Sequence, residues 1–409
     1  MQGMAVLSCW VLGALQGAIL ILIPKMMLQG QLTALQLALP LSLGTLIFMA
    51  FCGQWGHLLD KRFSAKQSLL VVVKWVLLGF IISQLSFILL LQYSELTGTL
   101  LLFALCVSRV LHGIFCSAII PSAQLSLSRG DIKGERLVWS SIATNVGRLT
   151  APLLTFVPIN NDYFSLWFIL TVTVFALLIA CFSHDSKQHL DPAFTAINHG
   201  KVIAPTPLFS FFSPRLLVIV CISALLLSLF SSQLQFSLGP LLLAQYNSAT
   251  LATEMTAHLL FAASASALIS LFIVYRLLSR YPAIFLMTIS TALIVGCCLF
   301  VLQQQLMLAV ILISAALSMA PAWYTALAMH ASQFHKARTS AAVSQGHTLG
   351  NAFGGLVGGA LLLLGEQSLL VSFILLTSCM LATWFAIYLQ ASRSTERNAV
   401  LDKLSSGSV

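Results

Sequence analysis

The chain has 409 residues, of which 59% are hydrophobic and only 8% charged, with a formal net charge of +9. A soluble domain carries roughly a quarter charged residues, so this composition excludes a soluble protein. The positive charge does not mark a nucleic-acid binder either, because the basic residues are spread through short breaks between apolar runs.

Those runs accommodate about twelve membrane helices of ~20 residues each. The opening MQGMAVLSCW has no basic stretch before its apolar residues, so the first run reads as a retained span rather than a cleaved signal. Span one covers about Met4 to Pro24 and span two Ala34 to Gly53, with Lys25 between them. A charged hairpin, GQWGHLLDKRFSAK from Gly53 to Lys66, precedes span three at Ser68 to Gln92. Span four, near Thr99 to Leu125, carries Arg109, and a polar loop from Ser128 to Arg136 follows it. Span five, Leu137 to Pro158, carries Arg148, and span six runs from Tyr163 to Phe182.

The texture then turns polar and Pro-containing, which reads as a linker between two halves. Six further spans follow, at 216–244, 251–275, 283–302, 306–330, 340–364 and 368–389. The expected organisation is an N-terminal six-helix bundle (1–183), a linker (184–215), a C-terminal six-helix bundle (216–390) and a polar, disordered tail (391–409). The nine Cys lie in or beside apolar runs and form no CxxC pair, so they read as small packing residues with no metal or disulfide framework.

Sidedness follows from the loops. Lys61, Arg62, Lys66, Arg129, Lys133, Arg136 and the basic residues of the linker and tail fall on one set of alternate loops, whereas the opposite set holds only Lys25. The positive-inside rule then places both termini and the linker in the cytoplasm of a cell (inner) membrane protein. An internal echo supports two parallel halves: Pro121 corresponds to Pro321, Arg136 to Arg338, and Asn145-Val-Gly147-Arg148 to Thr348-Leu-Gly350-Asn351.

Twelve spans, a long central linker and GHLLDKRFSAK after span two resemble the major facilitator superfamily over essentially the whole chain. Gly56 and Asp60 match that family's loop signature, with Lys61, Arg62 and Lys66 supplying the basic charge; Ser64 stands where the second Gly would be. Arg109 followed by Gly113 matches a span-four pattern, and Gly147 to Pro152 resembles the Gly-rich span five of exporters with Ala151 replacing the final Gly. Tyr275 to Arg280 resembles a second copy of the loop signature, with Ser279 in place of its Asp. The resemblance implies an all-α membrane protein of two parallel six-helix bundles. It also implies a gate at Gly56, Asp60, Lys61 and Arg62.

Arg109 and Arg148 sit mid-span, roughly 16 Å from an interface at 1.5 Å per residue. Charges at that depth are costly and mark a cavity or pathway. No Asp or Glu lies mid-span beside them, so a positively biased cavity for an anionic solute is expected. Asn145, Gln16, Gln233, Tyr324 and Asn351 are the further candidate liners. His112, Glu254, His258 and His347 are the candidates for carrying a proton, Glu254 and His258 being one turn apart on one helix face. Gly346, Gly350, Gly354 and Gly358 form a small-residue ladder that reads as tight helix packing.

No phosphate-binding loop, metal cluster or nucleophile with a base is present in the sequence, so neither ATP chemistry nor an enzyme is expected, and no cofactor. The reading is a proton-coupled secondary transporter, acting as a monomer on a small organic anion such as a carboxylate or siderophore, by export. A multidrug/proton antiporter and an importer of an organic anion remain as alternatives.

Overall fold

A computed structural model of the chain describes residues 2–64, 69–93, 95–128, 138–157, 159, 161–182, 215–278, 280–331 and 336–406. The polar loop 129–136, Ser279 and the linker up to residue 214 lie outside these residues. Apolar runs this long become helices because lipid offers no partner to a backbone N–H or C=O, so every one must be satisfied inside its own segment. Among the described residues, eleven helices are long and apolar enough to cross a membrane. A shorter, more polar helix carrying Arg148 completes the set of twelve spans expected from the sequence.

The N-terminal half comprises α1 (Gln2–Ile21), α2 (Ile23–Gly30), α3 (Ala34–Ser64), α4 (Leu69–Gln92), α5 (Gly98–Cys116), α6 (Ile119–Ser128), α7 (Val138–Thr155) and α8 (Phe164–Phe182). The C-terminal half comprises α9 (Arg215–Tyr246), α10 (Ala249–Ile269), a π-helical turn (Ser270–Val274) leading into α11 (Tyr275–Leu278), α12 (Pro282–Val301), α13 (Leu306–Ala331), α14 (Lys336–Leu364) and α15 (Glu366–Ser406).

Several spans differ from the sequence expectation. Span one is followed, past Leu22, by α2, which has Pro24 in its first turn, where a missing N–H costs nothing. The stretch read as a charged hairpin is helical through Ser64, so Gly56, Asp60, Lys61 and Arg62 extend α3 rather than follow it. Span four is broken between α5 and α6, just before Pro121. The tail expected to be disordered continues α15 to Ser406.

The two halves repeat one packing plan. α1 lies along α7 as α9 lies along α14; α3 meets α5 as α10 meets α13; α4 meets α5 as α12 meets α13. The first pairing is the tightest. A Cβ on Gly147 would lie 2.1 Å from the Trp10 carbonyl oxygen, and one on Gly350 would lie 2.3 Å from that of Leu225. Gly147 and Gly350 are the positions that the internal echo aligns. A side chain at either would force two backbones apart, so both sites require glycine.

The halves meet along α3 with α14, along α7 with α10, and where α2 packs on α9 and α10. The bare face of Gly359 looks onto Ala34, Leu35 and Ala38, and that of Gly239 onto Ile23 and Pro24. Phe156, just past α7, stacks on His258 of α10 with ring centroids 4.5 Å apart. These contacts all lie toward the end of the molecule that bears Lys25.

Candidate transport cavity

Tight α1–α7 packing brings two polar side chains together. Arg148 donates from Nε (3.2 Å) and from one terminal nitrogen (2.9 Å) to Gln16 Oε1. Both residues are exposed, although their helix neighbours Leu15, Ala18 and Ala151 are buried. An arginine exposed in the middle of a membrane helix belongs in a water-filled cavity, because lipid would not solvate it. Gln16 satisfies one edge of the guanidinium, and the remaining N–H groups, which have no described partner, can meet a solute. Next to this pair, Trp10 Nε1 donates to Thr150 Oγ1 at 3.3 Å, and Asn145 lies half-buried one turn earlier on α7.

Arg109 occupies a different place. It is 9% exposed and lies against Gly44 of α3, with its guanidinium carbon 5.7 Å from the Phe87 ring centroid of α4. Its Nε has no hydrogen-bond partner among the described residues. His112, one turn on, is buried with its ring 5.1 Å from Phe80. The α5 stripe of Arg109 and His112 thus faces α3 and α4 inside the N-terminal half, and the structure does not bring Arg109 to Arg148.

The C-terminal half builds its polar centre on the equivalent helix pair. Ser228 Oγ of α9 lies 2.5 Å from His347 Nδ1 of α14, and Tyr324 OH of α13 lies 2.9 Å from His347 Nε2. Tyr324 is fully buried and His347 half-buried. One turn further along α14, Asn351 is exposed and its carbonyl accepts from Ser232 Oγ at 2.9 Å. Gln233 is fully buried and donates to Ser372 of α15, away from this centre; its Oε1 has no described partner.

The Lys25 end is held by polar contacts. Lys25, itself 8% exposed, forms a 2.6 Å ion pair with Asp162 in the connection between α7 and α8. Burial and the neighbouring Asp162 charge push the Tyr163 phenol up to about 12, so it stays protonated and donates to Gln29 of α2. Glu254 and His258 are both exposed on α10, and His258 carries the stack with Phe156. At the opposite end of α3, nothing lies within 4 Å of a Cβ built on Gly56, and the side chains of Asp60, Lys61 and Arg62 lie outside those described.

Sequence reading missed Ser228 and Ser232 as partners of His347 and Asn351. The available signal was weak: Ser223, Ser228, Ser231 and Ser232 interrupt an otherwise apolar span, but serines also serve as helix-packing residues. Lys25 and Asp162 were each visible at the rim, yet nothing in their spacing joins residues that far apart.

Comparison with solved structures shows the same fold throughout. The inward-open xylose transporter XylE from E. coli superposes with a TM-score of 0.66 at 11% identity, covering 94% of each chain. The nucleoside transporter NupG gives 0.65 at 13% identity, covering 94% of this chain and 98% of that one. A bacterial homologue of the human lysosomal transporter Spinster, inward-facing and unoccupied, gives 0.59 at 16% identity, covering 95% of this chain and 96% of that one. Comparison with curated protein sequences gives no match. The sequence profile of the Major Facilitator Superfamily matches residues 5–342, and the chain therefore belongs to that superfamily, as a multi-pass membrane transporter of a small-molecule substrate.

Proposed function

We propose that the protein is a proton-coupled secondary transporter that exports a small organic anion, of the carboxylate or siderophore kind, across the inner membrane. The observation that carries this reading is Arg148: a guanidinium exposed mid-helix, fixed by Gln16, with no described carboxylate paired to it. Such a cation attracts an anionic group and offers a planar fork to a carboxylate. Asn351 and Asn145, on the equivalent faces of α14 and α7, would complete the contact, and Tyr324 would support it through His347. Arg109 and Gln233 would join only on rearrangement of their halves, since both are packed away from Arg148.

The loop charge asymmetry supports cytoplasmic termini. The Lys25 end is then the outer end, and the cavity opens toward the cytoplasm. Transport follows from rocking of the two halves about the central residues. Gly56, Asp60, Lys61 and Arg62, at the cytoplasmic end of α3, would close that side in the opposite state.

Purified protein in liposomes tests the reading. With an imposed pH gradient, radiolabelled citrate should move, and ethidium should not. Arg148→Ala should remove citrate flux, and Arg148→Lys should restore part of it. Efficient carriage of ethidium with citrate ignored would overturn the anion assignment in favour of a multidrug antiporter. Citrate flux unaffected by Arg148→Ala would remove this residue from the site. Flux measured in right-side-out and inverted vesicles decides between export and import.

A further inference from the structure

We propose that His347 carries the coupling proton, and that the Tyr324 hydroxyl makes the protonated state unstable in the arrangement seen here, so that proton binding drives helices α13 and α14 to move. This rests on the proton-coupled reading above and specifies where the proton sits.

The argument starts from hydrogen-bond accounting. Tyr324 is fully exposure-free at 0%, and its hydroxyl meets only His347 Nε2 among the described residues. A buried O–H needs an acceptor. The only arrangement that satisfies it has Tyr324 donating to an unprotonated Nε2. The other ring nitrogen then bears the hydrogen, and Nδ1–H donates to Ser228 Oγ. The two hydroxyls thereby select one tautomer of the neutral imidazole.

A proton arriving from the cavity forms an N–H bond at Nε2. The Tyr324 O–H···N hydrogen bond must break, and the phenol oxygen turns from donor to acceptor. Its own hydrogen is left without a partner in a buried site. Ser228 is unaffected, since it already accepts from Nδ1–H. The penalty falls on the contact between α13 and α14 alone, while the α9–α14 contact is preserved. Separation of α13 from α14, or rotation of one of them, relieves it. Departure of the proton restores the original arrangement, so the cycle balances with no other reactant.

Nothing nearby competes for this role. The other titratable groups facing His347 are the Tyr324 phenol itself, stacked with the imidazole at 6.0 Å between centroids, and the Cys221 thiol of α9, which adjoins Tyr324. The two glycines of α14 that face α3, Gly355 and Gly359, meet Ser42 and Ala34, Leu35 and Ala38, which carry no titratable group, and α15 contributes Ser372 to Gln233 instead. No described carboxylate lies within ion-pairing distance of His347. Of the other candidates, His112 is packed on Phe80 inside the N-terminal half, and Glu254 and His258 are exposed near the Lys25 end. Among the described candidates, only His347 bridges three helices through both ring nitrogens.

The test needs no substrate. Spin labels on L28C and Y246C, introduced in a cysteine-free background, report the separation of α2 from the end of α9 across the two halves. Both positions are exposed. In lipid nanodiscs, lowering the pH from 8 to 5 should convert part of the wild-type short-distance population to a longer one. His347→Gln should abolish the conversion. Tyr324→Phe, which has no hydroxyl to orphan, should move its midpoint to higher pH by at least one unit, a tenfold change in proton affinity or about 1.4 kcal/mol. A residue with a purely structural role would not move the midpoint. Conversion that persists unchanged in His347→Gln, as distinct from loss in His258→Gln, overturns the assignment while leaving proton coupling intact. A midpoint in Tyr324→Phe that stays or falls overturns the role of the hydroxyl. A wild-type protein that shows no conversion at all refutes the coupling reading and this inference together, and leaves the anion assignment to the citrate assay.

Discussion

Substitution of glycine by alanine at three positions of this chain should have two different outcomes, and the geometry says which. At Gly350 the new Cβ would sit 2.3 Å from the Leu225 carbonyl oxygen, 2.8 Å from the Leu229 nitrogen and 2.8 Å from the Ser228 Cβ. Two of these neighbours are backbone atoms of α9, which cannot swing aside. Relief to ordinary contact requires α14 to back away by about 1 Å, and overpacking of this sort costs about 1–3 kcal/mol. The same displacement stretches the Ser228–His347 contact, 2.5 Å in the structure, past the hydrogen-bonding range. At Gly355 the nearest atoms lie at 3.8 Å, and at Gly56 nothing lies within 4 Å. Both glycines are mid-helix, so alanine there should stabilise by up to about 1 kcal/mol through helix propensity. Tryptophan-fluorescence melting in detergent should therefore rank Gly350→Ala several degrees below the parent, with Gly355→Ala and Gly56→Ala at or above it. A Gly350→Ala protein that melts level with Gly355→Ala would refute the close approach of α9 and α14.

Three further outcomes follow. Asp162→Asn should lower the melting temperature more than Lys25→Met, because the first leaves a buried ammonium unpaired and the second removes it; equal losses would mean that the pair contributes nothing asymmetric. Arg109→Met should melt at or above the parent temperature, since the buried Nε makes no hydrogen bond and Met retains the contact with Phe87. The Tyr163 phenol, raised from the usual 10 to about 12, binds its proton more tightly in the folded protein. Its stabilising contribution is therefore complete below pH 10 and lost as pH rises toward 12, amounting to about 2–3 kcal/mol. Alkaline melts should show this loss in the parent and lack it in Tyr163→Phe.

The fold was legible because its determinants are local. Long apolar runs admit only helices, and the alternation of base-rich and base-poor loops counts them. The internal echo from Asn145 to Arg148 and from Thr348 to Asn351 aligned the two glycines that structure places at equivalent close contacts. Helix ends were less legible. The charged stretch after Gly53 reads as a break because charges leave the membrane there, yet charged residues are good helix formers and α3 simply continues into the polar region. The site was legible only in its residue types. Arg109 and Arg148 have the same depth and the same chemistry in sequence. Their separation depends on the rotation of α5 and α7 about their axes, and a polar stripe on a helix does not announce whether it faces a cavity or a neighbouring helix.

The repeat also explains why the two centres differ in chemistry. Aligned on Gly147 and Gly350, Thr144 falls at the position of His347 and Arg148 at that of Asn351. The N-terminal half packs Gly13 against the Thr144 carbonyl where the C-terminal half places Ser228 against the His347 ring. The same helix pair thus bears a permanent cation in one half and a titratable ring in the other. Under the proposed reading this division has a physical use. Arg148 holds an anion at any pH, whereas His347 changes charge without a carboxylate beside it. Two cationic centres in one cavity repel when His347 is protonated. The proton load of the C-terminal half and the standing charge of the N-terminal half are then linked electrostatically as well as through helix movement. Arg148→Gln should accordingly shift the pH midpoint of the label distance upward even without solute, by removing a standing positive charge. No change in that midpoint would mean that the two centres are electrically independent and that coupling runs through packing alone.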